Sequence, residues 1–245
     1  MTNSSSDYIG RLIELLKLVE TDLKGPIDSA AKMMADAFEN GGMLHAFGTG
    51  HSHVIALELF YRAGGFANIN PILIPELMLH ESASDSSQRE RTHLNAAELF
   101  EQHKITSRDV MLLISNSGGN QATIDVAWEA KRQGIPTIAL TSLAHAQSSQ
   151  ARSKTEKLND IVDVTLDNHG QPGDASVSIA NTGLTMGPTS TAINAAIVNA
   201  LAIAAAEKLA ARNCRPAVFT SANIAGGDEH NQSLIEQFQG RVKAL

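Results

Sequence analysis

The sequence predicts an α/β fold built on a doubly wound, five-stranded parallel sheet, and three observations support this. Short apolar runs alternate with helix-like segments, as is typical of a parallel sheet covered on both faces. Two of the runs are followed by loops rich in glycine and hydroxyl side chains, at 48–52 and 115–120. Both loops fall at one sheet edge if the strand order is 2-1-3-4-5, because that order reverses the chain direction between the first and third strands.

Two helices are expected before the sheet. The segment 8–19 has apolar residues on one face, and a second helix runs from about Pro26 to Phe38, ended by Gly41 and Gly42. The alternating elements then follow in order. Strands are expected at 43–47, 69–74, 110–114, 136–141 and 161–165, and helices at about 52–63, 93–103, 121–133 and 144–151.

The last third of the chain is less regular. Residues 166–187 are polar and poorly periodic, which predicts a long loop. Pro188 then opens an alanine-rich helix to about Arg212, whose small residues suit either a subunit interface or a core helix. The pattern contains no second-domain boundary, so residues 1–245 are expected to form a single domain with a helical N-terminal extension of about 1–40.

Composition narrows the class of protein. With 43% hydrophobic residues the chain is globular, and its formal charge of −7 with no basic run argues against a nucleic-acid partner. Cys214 is the only cysteine, which fits a reducing compartment. The N-terminus lacks signal-peptide features, and the apolar stretch 192–206 is expected to be too short and too polar to cross a membrane. The expected localisation is cytoplasmic.

The two loops predict a phosphate site. Glycines let the backbone approach an anion closely, and hydroxyl and amide side chains donate hydrogen bonds to it. One such loop is more often an ordinary turn, but three polar loops at one edge favour a ligand site. The candidates are Gly48, Thr49, Gly50 and Ser52 in the first loop, Ser115, Ser117 and Asn120 in the second, and Ser142 after the fourth strand. No dinucleotide, Walker or nucleophile-elbow pattern is present.

Gly48-x-Gly50-x-Ser52 followed by Ser115-x-Ser117-Gly118 resembles the sugar isomerase (SIS) domain. Three further segments, 60–65, 79–81 and 226–231, resemble a stand-alone SIS subgroup similar to N-acetylglucosamine-6-phosphate dehydratase and N-acetylmuramic acid 6-phosphate etherase. The resemblance implies a flavodoxin-like sheet, a phosphosugar ligand, no cofactor and a homodimer. It implies phosphate contacts from Ser52, Ser115, Ser117 and Asn120, with Thr49 and Asn116 near the sugar.

The resemblance also supplies acid–base candidates. Chemistry on an amino-sugar phosphate starts by removing the C2 proton, which needs a carboxylate base. Glu81 matches the catalytic glutamate of the etherase-like enzymes, and His80 could orient it. Glu76, Glu81 and Glu90 could equally be solvated surface charges.

The segment 223–231 places a second set of polar groups near the C-terminus. It would bring His230 and Asn223 into the pocket, from the same or the neighbouring subunit, with His230 as the catalytic acid that protonates the ring or the leaving oxygen. Otherwise it would form a turn before a final helix capped by Asp228.

A metal site is not expected. His51 and His53 are two residues apart, so their rings diverge on a helix. Phosphoheptose isomerases, another SIS branch, carry a zinc-linked His and Glu four residues apart. The matching positions here are Glu58 and Arg62, which are expected to form an ion pair instead.

The expected function is that of a lyase, dehydratase or isomerase acting on an amino-sugar 6-phosphate of the N-acetylglucosamine 6-phosphate type. An aldose–ketose phosphosugar isomerase and a non-catalytic phosphosugar sensor remain alternatives.

Overall fold

A five-stranded parallel sheet forms the centre of the protein in this computed structural model, which describes residues 4–149 and 156–245. The strands are β1 (Leu44–Gly48), β2 (Ile69–Ile72), β3 (Val110–Ile114), β4 (Thr137–Thr141) and β5 (Val164–Asp167). Their order is β2-β1-β3-β4-β5, all parallel, which confirms the predicted topology. Because the chain reverses direction between β1 and β3, the loops after these two strands lie side by side.

Helices cover both faces of the sheet. One face packs against α1 (Ser4–Asp22), α2 (Lys24–Glu39), α3 (His53–Leu59) and α9 (Ser190–Ala211). The other packs against α5 (Ala96–Gln102), α6 (Gln121–Arg132) and α8 (Leu158–Ile161). The remaining helices are α4 (Ala83–Arg89), α7 (Leu143–Ala146) and α10 (Gly227–Phe238). The central strands β1 and β3 are buried throughout, as expected for a sheet covered on both sides.

Helix α9 matches the expected alanine-rich helix closely, but the expectation that its apolar stretch is too short and too polar to cross a membrane needs correction. By length and composition its 22 residues could cross a membrane. In the fold, Ile193, Ile197, Val198 and Leu201 are fully or almost fully buried in the cluster that α9 shares with α2. The apolar residues on this side of α9 therefore pack in the core, whereas Ile203 on its other side is 64% exposed.

The prediction of a long loop at 166–187 is wrong. This segment contains the end of β5 and an antiparallel hairpin of β6 (Ala175–Ile179) and β7 (Leu184–Pro188). The hairpin lies against α1, and the Tyr8 hydroxyl donates to the Pro188 carbonyl at 2.8 Å. Most of the hairpin is exposed, but its strands do alternate: Ala175, Val177 and Ile179 share one face of β6, and Leu184 and Met186 share one face of β7. This alternation is a strand signal that the loop prediction overlooked.

Several boundaries also differ from expectation. Pro188 ends β7, and α9 begins at Ser190. Helix α4 was not predicted, and part of the expected helix 144–151 lies outside the described residues. These are short elements, whose ends are set by tertiary contacts more than by periodicity.

A buried polar network closes the sheet at the edge opposite the two loops. The Arg241 guanidinium lies 2.7 and 2.8 Å from the two carboxylate oxygens of Asp109. Asn70 Nδ2 contacts the Nδ1 atoms of His45 and His103 at 2.9 and 3.1 Å. Burial acts to raise the pKa of Asp109, but contacts with His45 and Arg241 outweigh it and hold the pKa well below its usual range. The network fastens the C-terminal segment to the sheet.

The stability of the fold should fall as pH drops from about 6.5 to 4. Burial, with repulsion from Lys243 and His45, lowers the pKa of His103 from 6.5 to about 4. Between those values the unfolded chain binds a proton that the folded chain does not, so acidification favours unfolding. Urea unfolding of the His103→Gln variant should lose less stability between pH 7.5 and 4.5 than the parent. His93→Gln, an exposed control, should follow the parent. An equal loss in the parent and in His103→Gln would remove His103 as the cause.

Candidate functional site

The loops after β1 and β3 line one cavity of about 350 Å³. The structure thus brings the two glycine-containing loops together at the carboxyl edge of the sheet, where ligands bind in open α/β folds. None of the described residues lining the cavity is Lys or Arg. The predicted residues that line it are Thr49, Gly50, Ser52, Ser115, Asn116, Ser117 and Asn120.

The second loop offers hydrogen-bond donors that nothing else uses. The Ser115 hydroxyl is buried, and among the described residues it has no hydrogen-bond partner. The backbone N–H groups of Gly119, Asn120 and Gln121 likewise have no partner in the described chain. They lie at the N-terminus of α6, where the helix dipole favours an anion. This side of the cavity is therefore built to accept negative charge through neutral groups.

Glu90 connects the two loops. Its Oε2 accepts from the Thr49 hydroxyl at 2.8 Å and from Asn120 Nδ2 at 3.0 Å. Its backbone carbonyl accepts from the Ala122 N–H at 3.1 Å, in the first turn of α6. The Oε1 atom of Glu90 has no hydrogen-bond partner among the described residues. One carboxylate oxygen thus fixes the side chain while the other is free for chemistry.

The first loop depends on glycine at its start. A Cβ on Gly48 would lie 2.8 Å from the Ser52 Cβ, so this position at the end of β1 allows the turn to close. Gly48 does not itself line the cavity. The neighbouring His53 ring is buried and contacts the Gly50 carbonyl, and burial lowers its pKa. His53 supports the loop from behind.

Ser142 supports the second loop from outside the cavity. It is fully buried, its hydroxyl donates to the Gly170 carbonyl, and its backbone N–H donates to the Asn116 carbonyl at 3.1 Å. The same hydroxyl accepts from the His145 N–H at the start of α7. In this arrangement Ser142 positions Asn116.

Besides Gly48 and Ser142, four predicted residues do not line the cavity. Glu81 and His80 have side chains that are 59% and 65% exposed and lie 3.5 Å from each other. The His230 Nε2 lies 2.9 Å from the Val218 carbonyl, and Asn223 is exposed in the turn before α10. The roles that the resemblance implies for these side chains stay predictions.

Other cavity residues were not singled out by the sequence. His51 and His145 are the two imidazoles in its lining, and burial lowers the pKa of His145. Asp174 and Asn194 line the far wall. The Asp174 carboxylate accepts from the N–H groups of Thr189 and Ser190 at 3.0 and 2.9 Å. His51 lies in the first loop, whereas His145, Asp174 and Asn194 come from segments distant in sequence, so no local spacing marks these three.

The expected ion pair between Arg62 and Glu58 is confirmed. Glu58 also accepts from Asn199 Nδ2 at 2.9 Å, which links α3 to α9. In the described part of the chain, no group of three or more His, Cys, Asp or Glu residues is placed to hold a metal ion.

A five-stranded parallel sheet with donor-rich loops at its topological reversal is the fold of phosphosugar isomerases of the SIS type. The chain belongs to the SIS domain family, whose model matches residues 7–142. It is 41% identical over 239 residues to a protein of Geobacillus thermodenitrificans described as "UPF0309 protein", covering 97% of this chain and 96% of that one. A UPF0309 protein of Listeria innocua is 39% identical over 241 residues, covering 98% of each chain.

Solved structures agree on the fold. A phosphoheptose isomerase from Francisella tularensis superposes with a TM-score of 0.57 at 19% identity, over 84% of this chain and 100% of that one. A phosphoheptose isomerase from Neisseria gonorrhoeae gives a TM-score of 0.53 at 17% identity, over 83% and 97%. At this level of identity the likeness is one of fold alone.

Proposed function

We propose that the protein binds an amino-sugar 6-phosphate of the N-acetylglucosamine 6-phosphate type and removes the proton at C2 of its open-chain form. The observation that carries this proposal is Glu90, held between two donor loops with one carboxylate oxygen free. A carboxylate base beside a phosphate site is what this chemistry requires. Membership of the SIS family supports the ligand class.

The phosphate half of the site is the loop 115–120 with the start of α6. Among the residues that the structure describes, the Ser115 hydroxyl and the N–H groups of Gly119, Asn120 and Gln121 have no hydrogen-bond partner. A phosphate supplies acceptors that would satisfy them. Ser52 and Ser117 add side-chain hydroxyls from the cavity lining, whereas the Asn120 side chain donates to Glu90 and Thr49 and contributes through its backbone N–H. Recognition by neutral groups also fits a protein whose overall charge is negative.

The reactive half is Glu90 with the imidazoles of the cavity. Oε1 of Glu90 takes the C2 proton, and the electrons of the broken C–H bond form the C1–C2 double bond of an enolate that carries the acylamino group at C2. His51 and His145 line the same cavity and are our candidates for the acid that protonates the carbonyl oxygen. From this enolate, the C1 carbonyl re-forms as the C3 hydroxyl leaves with a proton as water, which completes an elimination. An aldose phosphate with a hydroxyl at C2 would give an enediolate instead, and proton return at C1 would complete its isomerisation.

A homodimer in the cytoplasm is the proposed state of the protein. Apolar side chains lie exposed on α1 and on the neighbouring strand β7: Ile9, Ile13, Leu184 and Met186 are 49–60% exposed. A second copy covering this surface would remove it from water. Sedimentation equilibrium of the full chain tests this, and a monomer at all concentrations would contradict it.

Hydrogen exchange at C2 tests the proposed reaction. Incubation with N-acetylglucosamine 6-phosphate in deuterated water should give deuterium at C2, followed by an unsaturated or isomerised product visible by NMR. The unphosphorylated sugar serves as the control and should react far more slowly, because it lacks the group that the loop 115–120 binds. Binding of the phosphosugar with neither exchange nor product would identify a sensor instead of an enzyme.

A further inference from the structure

A chain of three asparagine side chains forms the wall of the cavity nearest β5. Asn168 follows β5 and is fully buried. Its Nδ2 donates to Asn116 Oδ1 at 2.9 Å and to Asn194 Oδ1 at 2.8 Å. Asn116 and Asn194 line the cavity, whereas Asn168 lies behind them.

The orientation of all three amides is determined by one backbone group. The N–H of Gly170 donates to Asn168 Oδ1 at 2.8 Å, and a backbone N–H can only donate. Oδ1 of Asn168 is thereby identified, so its NH₂ group must face the other two side chains. Asn116 and Asn194 therefore turn their oxygens toward Asn168.

The consequence is a wall that offers only donors to the ligand. With their oxygens engaged, Asn116 and Asn194 keep their Nδ2 groups for the cavity, and neither Nδ2 has a partner among the described residues. Asn194 is only 3% exposed, so its NH₂ group has little access to bulk water. The nearby Asp174 carboxylate already accepts from Thr189 and Ser190.

We propose that Asn168 is a positioning residue that makes this wall select an N-acylated amino-sugar phosphate over the corresponding free amine. An acyl carbonyl oxygen accepts hydrogen bonds from both NH₂ groups. A protonated amine has only donors, so these two NH₂ groups would offer it no acceptor at the place where they bind the acyl oxygen. The inference rests on the proposed phosphosugar site and specifies its substrate class.

Binding measurements on Asn168→Asp test this selection. The carboxylate can only accept, so Asn116 and Asn194 would turn their NH₂ groups toward it and their oxygens toward the cavity. By calorimetry, the parent should bind N-acetylglucosamine 6-phosphate roughly tenfold more tightly than glucosamine 6-phosphate, the scale of about one hydrogen bond. In the variant this ratio should fall to about one or below. A change in the ratio is not produced by a general loss of structure.

Two further variants keep the test decisive. Asn194→Asp replaces a donor with an acceptor in the cavity itself, and should lower the ratio even if Asn168→Asp does not fold. Asn213→Asp adds the same charge at an exposed position beyond α9 and should leave the ratio unchanged. The inference would be overturned, with the proposed function intact, by an unchanged ratio in both Asn168→Asp and Asn194→Asp or by a parent that prefers the amine. A parent that binds neither phosphosugar would overturn the proposed function as well.

Discussion

Glu90→Gln is expected to lower C2 proton exchange by about 10²- to 10⁴-fold, the usual contribution of a general base. Glutamine keeps the size of the side chain and can still accept from the Thr49 hydroxyl and Asn120 Nδ2, so the loops stay connected. Its amide cannot take the proton. Phosphosugar affinity, measured by calorimetry, should change only a few-fold, because the donors of the loop 115–120 are untouched.

Two other glutamate variants make this result specific. Glu76→Gln changes an exposed carboxylate outside the cavity and should exchange at the parent rate. Glu81→Gln separates the two candidate bases, since the family resemblance favours Glu81 whereas the cavity geometry favours Glu90. If Glu81→Gln stops exchange and Glu90→Gln does not, the assignment to Glu90 is wrong. In that case the loop 75–90 would have to rearrange when substrate binds.

Asp109→Ala is expected to lower the free energy of unfolding by about 3–5 kcal/mol, the scale for breaking a buried ion pair. Removal of this 1%-exposed residue leaves Arg241 without its carboxylate. It also leaves the N–H groups of Met43 and Thr106 without the acceptor that they contact at 2.8 and 2.7 Å. For a chain of this size the melting temperature should fall by roughly 6–20 °C.

Asp36→Ala provides the matched control. Asp36 also pairs with an arginine, Arg212, but its side chain is 42% exposed. Its removal should change stability by no more than about 1 kcal/mol, because water screens the exposed pair. Calorimetric melting of both variants measures the difference. Similar losses in the two would show that burial does not decide the strength of the Asp109 contacts.

Much of the fold was predictable because its evidence is local. The run 110–114 is continuously apolar and the run 136–141 is interrupted only by Thr137 and Thr141, which is typical of strands buried on both faces. The glycine-containing loops followed from residues adjacent in sequence. The hairpin at 175–188 was missed although its strands alternate apolar and polar residues, because the surrounding segment is polar and glycine-containing. Its packing against α1 is a contact between distant segments that local periodicity does not record.

The functional site likewise has features that local sequence predicts and features that only tertiary contacts create. The sequence by itself determined the donor loops, the strand order that brings them together and the ion pair of Glu58 with Arg62, because each depends on spacing within one segment or on strand alternation. Only the tertiary structure decided that Glu90 joins the loops and that Asn168 orients Asn116 and Asn194. These contacts join residues 26 to 52 positions apart, and such pairs become neighbours only after the sheet has formed.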